Sequence, residues 1–223
     1  MDNNYSAAAV IERWRTSQQQ QRMEALQRGV RCVLLVSRTC RRAVYLEHYM
    51  NMIMSAEIAQ QELLSNQGSV PPDEKLKDHV KNLLVLSAGM ENDPGERLPL
   101  EYMRAAAARG VDLAEQNPCA VLQPWIDFET SDLVVCLSAP LREQVLELAL
   151  QSVDRAKVLD LERRVVTYDS LVQCHFESNQ CVDLPEMDRF FDTESEFQKV
   201  FAQLEACARP LLRSLLVYGR CAL

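Results

Sequence analysis

From Ser6 to Gln67 the chain has no proline and a single glycine, Gly29, and its apolar positions recur at helical spacing. Met23, Leu26, Val30, Val33, Ser37, Cys40 and Val44 step by alternating three and four residues, the rhythm of a coiled-coil seam. Arg28, Arg31, Arg38 and Arg42 fall opposite that seam. The run "CVLLV" (32–36) lacks the strict alternation of a half-buried strand, so the pattern predicts a helix through it. Beyond Val44 the stripe shifts by one residue, roughly 100°, to Tyr45, Tyr49, Met52, Ala56, Ala59 and Leu63. A helix that changes face midway meets different neighbours along its length.

Gly68 and Pro71-Pro72 end this element, and Asp73-Glu74 suit the first turn of a helix running to about Met90. Pro99 can open another helix, weakened but not ended by Gly110. Residues 117–138 are irregular, broken by Pro118 and Pro124. Within them Leu133–Leu137 reads as a short strand or a buried turn of helix, and Trp125 and Phe128 as plugs of a core. Ser138 caps a long helix over 139–176, with Pro140 in its first turn. Asp183 with Glu186, and Thr193 with Glu196, have the spacing of a capping box. Phe197, Phe201, Leu204, Ala208, Leu211 and Leu215 then form a seam that passes through Pro210, as a kinked helix would.

The pattern therefore predicts an all-α protein with a long N-terminal, coiled-coil-like helical arm and a helical body. The arm covers residues 1–66, with a basic N-terminal half. The body covers 67–182, and a kinked helical segment covers 183–223. Six glycines in 223 residues agree with helices more than with turn-rich sheets. Charge sharpens the division. The net charge is −8, yet residues 1–45 hold eight arginines against Asp2, Glu12 and Glu24. A basic end on an acidic body points to an acidic partner or to complementarity within the chain.

Candidate chemistry is sparse. Cys174, His175 and Cys181 stand close together, but a structural zinc site wants a fourth ligand and no second pair supplies it. Three histidines, no glycine-rich phosphate loop and no nucleophile elbow leave no recognisable catalytic constellation. No metal, cofactor or catalytic residue is expected, and the chain reads as not an enzyme. The start has no secretory apolar run, and no apolar stretch approaches the ~20 residues of a membrane span. Eight scattered cysteines suit reduced thiols in an intracellular protein, cytoplasmic or nuclear.

The expected function is thus a non-catalytic scaffold or structural subunit of an intracellular hetero-oligomeric complex, in the helical style that cytoskeletal, kinetochore, tethering and viral structural assemblies share. It would act through coiled-coil and helix-bundle contacts with other helical subunits. The expected partner-binding seam comprises Met23, Leu26, Val30, Val33, Cys40, Val44, Tyr45, Tyr49, Met52 and Leu63, with Phe197, Phe201, Leu204, Leu211 and Leu215. The basic face of Arg28, Arg31, Arg38 and Arg42 would steer an acidic partner. The alternative is that this arm binds nucleic acid or an acidic filament such as a microtubule.

Overall fold

Cys32, Leu34 and Val36 are buried among one set of helices, while Val33 and Leu35 are buried among another. That arrangement belongs to a strand covered on both faces. In the computed structural model the stretch is β1 (Arg31–Ser37), the first of four parallel strands. The structure describes residues 20, 24, 27–66, 82–91, 96–113, 120–152, 155–173, 184 and 193–221. A strand buried on both faces needs apolar residues at every position, so its period of two disappears from the sequence. The same continuous run satisfies a three-four helical spacing by coincidence. This is why the helix expected to run through Val33–Ser37 is absent there and begins only at Cys40.

β1 leads into α1 (Cys40–Asn66), which returns the chain to β2 (Leu83–Gly89). There follow α2 (Leu100–Ala107), α3 (Pro124–Thr130), β3 (Leu133–Cys136), α4 (Ala139–Ser152) and α5 (Arg155–Arg164). The chain ends through β4 (Val165–Thr167), α6 (Tyr168–Gln173) and α7 (Glu194–Cys221). The strand order is β2-β1-β3-β4, with β1 paired to β2 (Val33 opposite Val85) and to β3 (Val33 opposite Leu133). Parallel neighbours require crossover connections, and helices supply them.

Helices cover both faces. Residues of α1, α2, α6 and α7 share one apolar cluster with Val33, Leu35, Val85 and Val135. Residues of α3, α4 and α5 share the other with Leu34, Val36, Val134 and Cys136. The fold is α/β in three layers, which corrects the all-α expectation. It also places Arg31–Ser37 of the expected arm in the sheet and the apolar residues of Cys40–Met54, Met52 apart, in its core. The helix expected up to Met90 contains β2. The helix expected over 139–176 is α4, α5, β4 and α6, because Val165–Thr167 pairs with β3.

Two helix boundaries have clear local causes. Gly110 does more than weaken α2: it sits at φ +80° just past the helix end, and the Val111 N–H donates to the Ala106 carbonyl at 3.0 Å. The expected capping box at Thr193 is present. The Glu196 carboxylate accepts from the Thr193 N–H (3.2 Å) and the Thr193 Oγ1 accepts from the Glu196 N–H (3.4 Å). α7 then continues through Pro210, with Phe197, Phe201, Leu204, Ala208, Leu211 and Leu215 all fully buried.

Candidate functional site

β1 and β3 lie side by side at the centre of the sheet, but the chain leaves their carboxyl ends for helices on opposite faces. Such a divergence leaves a crevice at the strand ends, the place where open α/β sheets bind ligands. A cavity of about 280 Å³ occupies it, lined by Arg38 of the β1–α1 connection and Arg42 of the first turn of α1, and by Ser138 before α4 and Pro140, Leu141 and Gln144 within it.

The β1–α1 loop is held from three directions. Met90 N–H donates to the Ser37 carbonyl (3.0 Å) and Glu91 N–H to the Arg38 carbonyl (2.8 Å), both from the end of β2. Leu137 N–H, just past β3, donates to the Val36 carbonyl (2.9 Å). The Tyr102 hydroxyl of α2 donates to the Arg41 carbonyl (2.5 Å). Within the loop the buried Ser37 Oγ donates to the Thr39 carbonyl and accepts from the Ala43 N–H at 3.3 Å. That amide belongs to the first turn of α1, where helical N–H groups have no intrahelical acceptor.

The electrostatics favour an anion. α1 and α4 both begin at this edge of the sheet and bring the positive ends of their dipoles with them. Arg42 is only 5% exposed. Arg38 is largely exposed and its Nε donates to Glu91 at 2.9 Å. The thiol nearest the crevice on β3, Cys136, is pushed up to about 12 by burial, against a smaller opposing pull from Arg142. It is therefore a protonated thiol at neutral pH.

The residues singled out from sequence are dispersed. Arg38 and Arg42 come together at the cavity. Arg28 is at the surface beside Glu24 (3.3 Å), and Arg31 donates to the Leu215 carbonyl of α7 (2.9 Å). Those four do not form one basic helix face. Val33, Cys40, Val44, Tyr45, Phe197, Phe201, Leu204, Leu211 and Leu215 are buried in this chain's own core, so they offer no area to a partner helix. Tyr49 is half-buried against that core, and Val30 lies half-buried just before β1. Met52 and Leu63 are exposed, by 38% and 63%, on the outer part of α1. Met23 and Leu26 lie outside the described residues, as do Cys174, His175 and Cys181. Among the described residues no group of three or more side chains could hold a metal ion. No described helix is long and apolar enough to cross a membrane.

Of the residues on the other wall, Ser138 and Pro140 are legible in the sequence only as a helix start. A signal for their role does exist. "VLLVSRTCRR" and "LVVCLSAPLR" share one plan, a short apolar run, a serine and then a helix, which is the strand–turn–helix plan of α/β folds.

No known protein family matches the sequence, and no characterised relative matches it either. Solved structures do match the fold. The arginine phosphatase YwlE from Geobacillus stearothermophilus aligns with a TM-score of 0.54 at 12% identity, over 85% of this chain and 96% of its own. A cysteine-to-serine variant of YwlE with a phosphorylated active-site serine aligns at 0.52 and 18%, over 82% and 95%. A low molecular weight protein tyrosine phosphatase from Bacillus subtilis aligns at 0.50 and 14%, over 82% and 96%. At these identities the likeness is one of fold. It overturns the coiled-coil scaffold expectation and the non-enzyme reading attached to it, because both rested on an all-α architecture that phosphatases of this fold do not share.

Proposed function

We propose that the cavity between the β1–α1 and β3–α4 connections binds the phosphoryl group of a phosphorylated protein side chain and supports its hydrolysis. One observation carries the reading: Arg38, Arg42 and the start of α1 converge on a cavity at the divergence of β1 and β3. The similar solved structures act in the same sense, being an arginine phosphatase and a protein tyrosine phosphatase.

The chemistry asks for a fixed anion cradle and a nucleophile. Arg42 supplies charge at low exposure, where a guanidinium–phosphate pair is stronger than in water. Ser37 is our choice for the phosphoryl acceptor: it is fully buried at the end of β1, next to Arg38 of the cavity lining, the Ala43 amide meets its Oγ and would steady it as an alkoxide, and its side chain has to turn into the cavity before it can attack. Its oxygen bonds to phosphorus, the bond from phosphorus to the substrate side chain breaks, and the hydroxyl proton leaves with the released group. Water then cleaves the serine ester. The Thr39 carbonyl must release the hydroxyl for this to occur. A phosphorylated active-site serine in the YwlE variant is a precedent for the intermediate. The buried thiols Cys32, Cys40, Cys136 and Cys207 support a place inside the cell.

The test is incubation of the purified chain with p-nitrophenyl phosphate and with phosphoarginine, followed by intact-protein mass measurement and nitrophenol release. The reading expects one added phosphoryl group, lost in Ser37→Ala, and slow nitrophenol release. Absence of both in a folded chain contradicts it.

A further inference from the structure

Arg38 is shared between the cavity and a carboxylate. Its side chain lines the cavity, and its Nε donates to Glu91 at 2.9 Å. The two residues are also joined through the backbone, Glu91 N–H to Arg38 carbonyl at 2.8 Å, so Glu91 is fixed at the rim. An exposed pair of this kind contributes little to stability. Its position at the mouth of an anion site gives it a different consequence, since any anion that approaches Arg38 also approaches Glu91.

The helix that forms the opposite wall carries carboxylates as well, without such a pair. Gln144 of α4 lines the cavity and is exposed. Its sequence neighbour Glu143 is exposed, and so is Glu147, three residues on and therefore beside Gln144 on the helix surface. The cavity thus has arginines on one wall and carboxylates beyond both walls. The chain as a whole carries −8. A ligand that is anionic throughout gains at the arginines and loses at the rim. A ligand with one anionic group set among cations gains at both.

Building on the phosphoryl-binding reading, we infer that Glu91, with Glu143 and Glu147, makes this site select a phosphorylated side chain presented by a basic polypeptide segment. Glu91 is a specificity-determining residue and takes no part in bond making. The same carboxylates disfavour polyanions such as nucleic acid.

The experiment uses the full chain and two fluorescent peptides of equal length. Each carries the same non-hydrolysable phosphonate analogue of phosphotyrosine, flanked by lysine and arginine in one peptide and by aspartate and glutamate in the other. Inorganic phosphate competes against each. The basic peptide should bind about tenfold more tightly at low ionic strength, with the gap narrowing as salt screens the rim. Glu91→Gln keeps an acceptor for the Arg38 Nε–H and removes the charge. It should cut the preference about threefold while tightening inorganic phosphate. Glu147→Gln, away from Arg38, should narrow the preference and leave inorganic phosphate unchanged.

Equal affinity for the two peptides in a chain that binds inorganic phosphate overturns this inference and leaves the cavity reading standing. So does a Glu91→Gln chain in which phosphate and both peptides weaken together, since Glu91 would then only brace the loop. A chain that binds no phosphate at all removes the cavity reading and this inference with it.

Discussion

Replacing Arg109 with alanine should destabilise the chain by about 2 kcal/mol, and the structure shows where that figure comes from. Arg109 follows α2 and grips Glu205 of α7 through two bonds, Nε to Oε1 at 2.5 Å and Nη2 to Oε2 at 2.6 Å. Glu205 also accepts from the Tyr45 hydroxyl of α1 at 2.6 Å. Arg109 reaches Gln198 at 3.1 Å, and Gln198 donates to the Ala105 carbonyl at 2.8 Å. The network therefore pins α7 to α1 and α2, above the stack of Tyr45 on Phe201. The Arg109 and Glu205 side chains are 27% and 18% exposed. A fully exposed pair contributes about 0–1 kcal/mol and breaking a fully buried one costs about 3–5, so this pair belongs between them.

The assay is reversible denaturation of the wild type, Arg109→Ala, Glu205→Gln and the double variant. For a chain of this size the single loss corresponds to a fall in Tm of about 4–8 °C. The cycle should return a coupling of about 1–2 kcal/mol at neutral pH. The coupling should also depend on acidity. Burial alone would raise Glu205, but the Arg109 and Tyr45 hydrogen bonds with the Arg109 charge outweigh it and hold the carboxyl below its ordinary range. A lowered carboxyl stabilises the fold above its unfolded value, about 4.3, and that stabilisation is lost as pH falls through the folded value. The coupling should therefore be full at pH 7 and vanish in strong acid. An Arg109→Ala chain within about 0.5 kcal/mol of wild type, or a coupling that persists in acid, refutes the reasoning.

Other expectations follow from single contacts. Phe201→Ala removes a ring stacked on Tyr45 at 3.8 Å and edge-on to Tyr102 at 5.0 Å, and should cost about 3–5 kcal/mol by denaturant titration. Thr193→Ala removes half of the capping box and should cost about 1 kcal/mol, with amide exchange rising in the first turn of α7. Cys136, buried and pushed up to about 12, should resist a thiol reagent at pH 8 in the native chain and react once unfolded. Fast native labelling of Cys136 would contradict that placement.

What was legible in the sequence follows from how each element is buried. α7 was readable because it buries one stripe against neighbours and carries its own cap, so period and punctuation agree. β1 was unreadable as a strand because helices cover it on both sides and every position from Cys32 to Val36 is apolar. β4 has three residues between two helices, too few to interrupt a helical pattern. β3, Leu133–Cys136, lay within a stretch where a short strand was one of two readings. At the site, Arg38 and Arg42 stood out by charge, but on a scaffold that does not exist. Ser138 stands at a helix start in both sequence and structure, with Arg142 N–H donating to its carbonyl at 3.2 Å. That the two loops meet depends on the strand order β2-β1-β3-β4, a long-range property that no local pattern encodes.

The cavity's role is tested most directly by titrating inorganic phosphate into the isotopically labelled chain and following its backbone amides by NMR. Saturable shifts concentrated at Ser37–Ala43 and Ser138–Gln144, lost in Arg38→Ala with the fold intact, are the expected result. No saturable shift, or shifts centred elsewhere on the chain, would contradict a phosphoryl site at the divergence of β1 and β3.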